Sequence, residues 1–174
     1  MKVTVEISTK NRYHTLYLTL WSILSQTYKP EHVLIFDDND KPKDLLQDDV
    51  YKNIFNIFKN KNITFQIEKG ARKGQVINHQ KALSLVQTEL IWRIDDDNIV
   101  EPNVLENLIK NIQTKDVGAV GCSILHTNDE YPIEILSSDI KDVLFKYAIQ
   151  FSRFKGIKET QFLYSSFLFK KEVN

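Results

Sequence analysis

Leu90-Ile91-Trp92-Arg93-Ile94 is a run of strand-forming residues that stops at once in Asp95-Asp96-Asp97-Asn98. A short apolar segment that ends in a polar cluster reads as a buried strand whose end opens onto solvent. Downstream, Pro102 stands near the start of a helix that reaches to about Gln113, since proline is favoured in a first helical turn. Upstream, Val76 to Val86 has helical spacing. Helix, strand, acidic edge and helix therefore follow one another within forty residues.

The same rhythm extends outward to the N-terminus. Val3, Val5 and Ile7 alternate with polar neighbours over residues 2–8, a strand of period two. Leu16, Leu20, Ile23 and Leu24 give residues 14–26 a helical face, and Pro30 closes that unit. His32 to Phe36 is a short strand that breaks off in Asp37-Asp38-Asn39-Asp40. Residues 44–60 read as a helix with Leu45, Leu46, Val50, Ile54, Ile57 and Phe58 along one side. Ile63, Phe65 and Ile67 form a third alternating strand, followed by the loop from Lys69 through Gly70, Arg72 and Lys73 to Gly74. Val117 to Ile124 is a fifth apolar segment, with Cys122 as a structural thiol inside it. Strands alternating with helices of ten to fifteen residues imply βαβ units, an α/β fold and a mostly parallel sheet flanked by helices. After about residue 125 the rhythm is lost, and residues 143–154 and 162–169 are dense in aromatics.

Composition limits the function. The chain has 174 residues, and 42% are hydrophobic, enough to build one core, so a single domain over 1–174 is expected. Lys+Arg and Asp+Glu balance at 23 each, which argues against a protein that works by wrapping nucleic acid phosphates. One cysteine forms no internal disulfide, and no apolar run approaches the ~18 residues of a spanning helix, so a cytoplasmic location is expected. The strand-like N-terminus also speaks against a preceding signal peptide. The aromatic stretch 143–171 carries Lys and Arg and invites a membrane-surface reading; an ordinary buried helix and strand is the stronger one.

Ligands of an open parallel sheet bind outside the carboxyl ends of its strands. Four such ends here carry chemically capable residues: Ser8 to Arg12, Asp37-Asp38, the basic glycine loop, and Asp95 to Asp97. Asp95 and Asp97, one residue apart, point two carboxylates to the same side of an extended segment. Hard oxygen ligands of this kind suit Mg²⁺ or Mn²⁺, which complete their shells with water and phosphate oxygens. A solvated acidic loop or a helix cap would use the same residues. Asp37 and Asp38 suit a ribose hydroxyl or a base imide, and equally a turn. Arg72 and Lys73 suit a diphosphate, but the loop lacks the Gly-Lys-Ser/Thr ending of a P-loop. No GxGxxG follows the first strand, and no GxSxG or HExxH occurs.

In order and spacing these segments resemble the family 2 glycosyltransferases, which have the GT-A nucleotide-diphospho-sugar transferase fold. The resemblance covers residue 3 to about 174. It rests on residues 7–12, 18–38, the glycine turn with Asn78, residues 91–109 and the segment 165–173. It implies transfer of a sugar from a nucleotide-sugar, a UDP-sugar first of all, to a saccharide or other hydroxyl acceptor. Thr9 and Arg12 would border the nucleotide, with Asp37 or Asp38 near the base and Arg72 beside it. Asn78 and Asp96 would line the donor, Asp95 would approach the ribose or sugar, and Asp97, with Asp95, would hold Mn²⁺ or Mg²⁺ in the family's DxD pattern. An inverting displacement is expected, with an acid deprotonating the acceptor. Residues 1–113 would form the nucleotide-sugar and metal part, and 114–174 the start of the acceptor side.

Two departures qualify the match. Lys10 stands where the family often has an aromatic, so stacking on the base falls to a residue such as Tyr13. The family's base segment lies beyond the strand matched by residues 165–173; Glu159 is a weak substitute, and no base is assigned. The given chain is therefore expected to bind donor and transfer poorly, with strand 162–169 left short of neighbours and open to self-association. A nucleotidyltransferase would also want paired acids and a metal, but normally has glycines after its first strand. A non-catalytic nucleotide-sugar-binding domain is the reading from another class.

Overall fold

The computed structural model of the chain describes residues 1–71, 74–114, 116–122 and 166–172. Met1–Gly121 and Tyr164–Asn174 form one compact unit, and it is the unit described below; Cys122–Leu163, the second, lies almost wholly outside the described residues. In chain order the elements are β1 (Val3–Thr9), α1 (Tyr13–Leu24), β2 (His32–Asp37), α2 (Asp49–Asn60), β3 (Thr64–Lys69), α3 (Gln75–Leu85), β4 (Leu90–Ile94), α4 (Val104–Ile112), β5 (Ala119–Gly121) and β6 (Ser166–Lys170).

The six strands form one sheet in the order β3-β2-β1-β4-β6-β5. The first four are parallel, with Val5 opposite Val33 and Trp92, and Val33 opposite Phe65. β6 returns antiparallel between β4 and β5, placing Ser166 opposite Ile94. A mixed edge of this kind on a parallel core satisfies the α/β expectation. The chain first winds from β1 outward to β3, then crosses back to β4 on the other side of β1. That reversal makes the gap between the β1 and β4 ends the switch point where such sheets bind ligands.

Pleating divides the sheet into two unlike faces. Val3, Val5, Ile7, Val33, Ile35, Leu90, Trp92, Ile94 and Leu168 are all buried, on the face covered by α1, α2 and α4. Each of those helices supplies an apolar stripe: Leu16, Leu20 and Ile23; Ile54, Phe55 and Phe58; Leu105, Leu108 and Ile112. Burying side chains of this size stabilises by roughly 1.5–3 kcal/mol each, so this face holds most of the core. Trp92 is fully buried, and its indole N–H donates to Ser166 Oγ at 3.0 Å, tying β6 to the parallel core. Gln26 seals the α1–α4 contact. Its Nε2 donates to the Ser22 and Glu101 carbonyls, and its Oε1 accepts the otherwise orphaned Leu105 N–H at 2.9 Å.

Several boundaries differ from the sequence reading. α2 begins at Asp49 and not near residue 44, because the Asp48 side chain accepts the Val50 N–H and Asp44 nucleates a preceding turn. Leu45 is buried from that turn, whereas Leu46 and Val50 point outward at 45% and 50% exposure. Cys122 follows β5 directly and does not lie within a strand, since β5 stops at Gly121. Among the described residues, no helix is long and apolar enough to cross a membrane. The stretch 143–154 lies outside them.

Candidate functional site

The carboxyl ends of the four parallel strands share one rim, and three contacts tie them together there. Asp38 N–H donates to the Thr9 carbonyl at 2.9 Å, joining the β2 loop to β1. Gly70 N–H donates to the Asp37 carbonyl at 2.8 Å, joining β3 to β2. Arg12 reaches from the β1 loop to the β4 loop, its guanidinium 2.6 Å from Asp97 Oδ2 and 3.4 Å from Asp96 Oδ1. Beneath these ties lies a crevice of about 390 Å³, lined by Ser8, Thr9, Lys10, Asn11, Arg12, Asp38, Gly74, Gln75, Asn78 and Asp96. Of the expected site residues, the structure brings together Thr9, Arg12, Asp38, Asn78 and Asp96 as lining groups, with Asp97 on the Arg12 clamp. Arg72 and Glu159 lie outside the described residues.

The acidic edge is not extended. Asn98 N–H closes on the Asp95 carbonyl at 3.3 Å, so Asp95 to Asn98 form a turn. The side chains consequently fan out: Asp95 is partly buried, Asp96 buried and Asp97 exposed. Burial pushes the Asp96 carboxyl above its ordinary range, against the opposite pull of the Thr9 hydroxyl and Arg12. Ser8 Oγ and Asn78 Nδ2 are buried on the crevice lining without a hydrogen-bond partner, and the Thr9 hydroxyl and Asp96 Oδ2 beside them have no partner there except each other. Orphaned buried polar atoms carry a desolvation cost of roughly 1–3 kcal/mol each, so their gathering around one crevice marks it as a place where a polar ligand would complete the bonding.

Asp37 and Asp38 part company. The Asp37 carboxylate is spent inside the protein: Oδ1 accepts from Asn39 N at 3.0 Å and from Asn39 Nδ2, and Oδ2 accepts from the Tyr13 hydroxyl. Asn39 Oδ1 in turn accepts the N–H of Asn11, which holds a left-handed φ of 59°. Burial, with Asp37 beside it, pushes the Tyr13 hydroxyl up to about 12. Tyr13 is further fixed by the Tyr51 ring edge, the Tyr51 hydroxyl on its carbonyl, and Lys43 Nζ 5.4 Å from its ring centre. It faces a second hollow of about 590 Å³ with Asn11, His14, Asn39, Asp40, Lys41 and Lys43, and does not line the crevice.

Asp38 lines the crevice under a steric constraint that the sequence reading missed. A Cβ on Gly70 would lie 2.8 Å from Asp38 Cα and closer still to its carboxylate. Only glycine lets β3 approach so closely. Gly70→Ala is therefore expected to push the Asp38 loop outward and destabilise by roughly 1–3 kcal/mol, as overpacking does. A denaturant titration checks this; an unchanged midpoint would show that the loop yields freely. Gly74, at φ 90°, opens α3, and Asn78 Oδ1 holds the loop before it by accepting Ala71 N–H at 2.9 Å.

A family model described as Glycosyl transferase family 2 matches residues 4–174. The glucosyl-dolichyl phosphate glucuronosyltransferase of Haloferax volcanii is 31% identical over 134 residues, which span 72% of this chain and 39% of that protein. The mannosyltransferase of Pyrobaculum calidifontis, solved in complex with GDP-Man and Mn²⁺, superposes with a TM-score of 0.56 at 23% identity, over 70% of this chain and 35% of that one. Residues 1–349 of S. aureus TarS in complex with UDP superpose with a TM-score of 0.57 at 18% identity, over 76% and 38%. The chain thus spans about two fifths or less of each of these proteins, and the structural likenesses establish the GT-A fold.

Proposed function

The chain belongs to glycosyl transferase family 2, and from that premise we propose that the crevice binds a nucleotide-diphospho-sugar, a UDP-sugar first of all, whose sugar passes to a hydroxyl acceptor. The observation that carries this reading is the Arg12 clamp over a crevice at the β1/β4 switch point, walled by buried polar groups of which Ser8 Oγ and Asn78 Nδ2 lack partners. Thr9, Arg12 and Asp38 border the nucleotide, with Arg72 from the glycine loop beside it. Asn78 and Asp96 close the wall, and Asp95 faces the ribose or sugar. Asp37 supports the base end through Asn39 and Tyr13 without touching it.

The acids fit a divalent ion of a particular kind. Among the described residues no group of three acidic, His or Cys side chains converges to hold a metal unaided. Mg²⁺ and Mn²⁺ often take only one or two carboxylates, the rest of the shell coming from water and substrate phosphates. Asp97, exposed at the turn, with Asp95 beside it, suits an ion that arrives with the diphosphate. When bound, it would supply positive charge to the leaving diphosphate. The protein's own residues orient the donor and exclude water from its buried side. In the inverting displacement, the acceptor oxygen bonds to the anomeric carbon as the bond to the diphosphate oxygen breaks, and the acceptor proton passes to a carboxylate.

Calorimetry with UDP, a UDP-sugar and GDP, each in Mn²⁺ and in EDTA, tests the reading. UDP and the UDP-sugar are expected to bind in Mn²⁺ and at least about ten-fold more weakly in EDTA, since a native-state ligand shared with a metal couples the two affinities. Equal affinity with and without metal removes the metal from the reading. Tighter binding of GDP reassigns the base, and no binding of any nucleotide removes the reading itself.

A further inference from the structure

The wall of the crevice formed by Gly74, Gln75 and Asn78 belongs to α3, which is fastened differently from the other helices. α1, α2 and α4 press broad apolar stripes on one face of the sheet. α3 packs on the opposite face and buries only Asn78 and Ala82 along its length, with Val86 just beyond its end. Polar side chains tie it to two strands as well. Lys81 Nζ lies 2.7 Å from Glu68 Oε2 in β3, and His79 Nδ1 lies 2.7 and 2.9 Å from the two carboxylate oxygens of Glu6 in β1.

Glu6 is the unusual member. It occupies the middle of a strand whose other neighbours are Val3, Thr4, Val5 and Ile7, and it is 2% exposed. It lies in register with Leu34 on one side and Arg93 on the other, so the acid interrupts the apolar Leu34, Phe36, Ile91 surface beneath α3. A carboxylate buried to this extent is costly unless it is paired and hydrogen-bonded, and an apolar residue would fill the same place at lower cost. What the hydrogen-bonded pair supplies that an apolar contact does not is direction. Ala82 and Val86 tolerate sliding and rotation of α3; a hydrogen bond from an imidazole to a carboxylate does not. His79 follows Asn78 immediately, so fixing its ring against β1 also fixes Asn78 and the α3 N-terminus against the Ser8–Arg12 edge.

We propose that Glu6 and His79 are a positioning pair for the donor crevice: neither lines it, and together they set the distance between its α3 wall and its β1 edge. The inference rests on the donor reading above and adds residues that the expected site did not include.

The test is calorimetry of UDP in Mn²⁺ with the wild type, Glu6→Gln, Glu6→Ala and His79→Leu, each confirmed folded by circular dichroism. Glu6→Gln keeps an oxygen that accepts from the ring and should bind UDP within about two-fold of wild type. Glu6→Ala and His79→Leu should weaken UDP roughly ten-fold or more, as misplacement of a binding wall does. His79→Leu keeps the side-chain volume at a partly exposed helical position, so it serves if Glu6→Ala fails to fold. Wild-type affinity in folded His79→Leu, whatever its melting temperature, overturns the inference, and so does a loss in Glu6→Gln as large as in His79→Leu. Failure of the wild type to bind any nucleotide removes the donor reading first, and this inference with it.

Discussion

Replacing Asp97 with asparagine is expected to weaken UDP binding in Mn²⁺ by roughly a hundred-fold, because changes even to the residues that merely orient metal ligands cost ten- to a hundred-fold in metal affinity. In EDTA the same variant should bind UDP no more weakly than the wild type. The turn at Asp95 to Asn98 leaves Asp97 outermost of the three acids. Asp96 is buried, with Oδ1 3.4 Å from the Arg12 guanidinium, and is less accessible than Asp97 to an arriving ion. Asp97 also meets Arg12, but from an exposed position where an ion pair contributes little to stability. A dication brought by the diphosphate can therefore take the Asp97 carboxylate without dismantling the loop, and Arg12 is then free to turn toward the phosphates. Asparagine keeps the shape and loses the charge that the cation requires. Parallel titrations of both proteins in Mn²⁺ and in EDTA give the answer. An equal loss in both conditions would assign Asp97 to the nucleotide and not to the metal.

The chemistry of this rim was legible because strands announce their ends. β4 is legible to the residue, Leu90 to Ile94, since an apolar run meeting three aspartates leaves little choice of boundary. β1, β2 and β3 followed from alternation or short apolar runs, and the parallel order followed from the helices between them. What the sequence concealed were contacts made across the fold. Nothing local distinguishes Asp37, turned inward onto Tyr13 and Asn39, from Asp38, which lines the crevice; the difference arises because β2 ends at Asp37 and Asp38 turns onto the Thr9 carbonyl against Gly70. The DxD spacing suggested an extended pair of carboxylates, whereas the Asp95–Asn98 hydrogen bond curls the segment. Gly70 looked like loop punctuation and is in fact a point of close approach between β3 and Asp38. Glu6 left a signal that went unread: one acid inside an otherwise uncharged strand. Its partner lies seventy-three positions away, on a helix that only the fold brings near.

The division of labour between the two acids after β2 gives the other large effect. Asp37→Ala is expected to lower stability by roughly 3 kcal/mol, since a buried donor stripped of its acceptor costs about 1–3 kcal/mol and more than one is stripped here. The donors affected are the Asn39 N–H, the Asn39 side-chain amide and the Tyr13 hydroxyl. For a chain of this size that corresponds to a fall in melting temperature of roughly 6–12 °C. The damage spreads by a traceable route. Asn39 released from Asp37 no longer fixes the Asn11 N–H, and Asn11 holds the β1 loop in a left-handed conformation that needs support. Asp38→Ala should behave in the opposite way. Its UDP affinity should fall by roughly ten- to a hundred-fold, the worth of a hydrogen bond to a charged group, a loss that its change in melting temperature does not account for. Differential scanning calorimetry and UDP titration on both variants separate the two roles. If Asp37→Ala melted with the wild type and still lost UDP, its carboxylate would have to leave Tyr13 and Asn39 for the ligand. The inward network would then be a feature of the ligand-free protein alone, and the base end of the site would contain both acids.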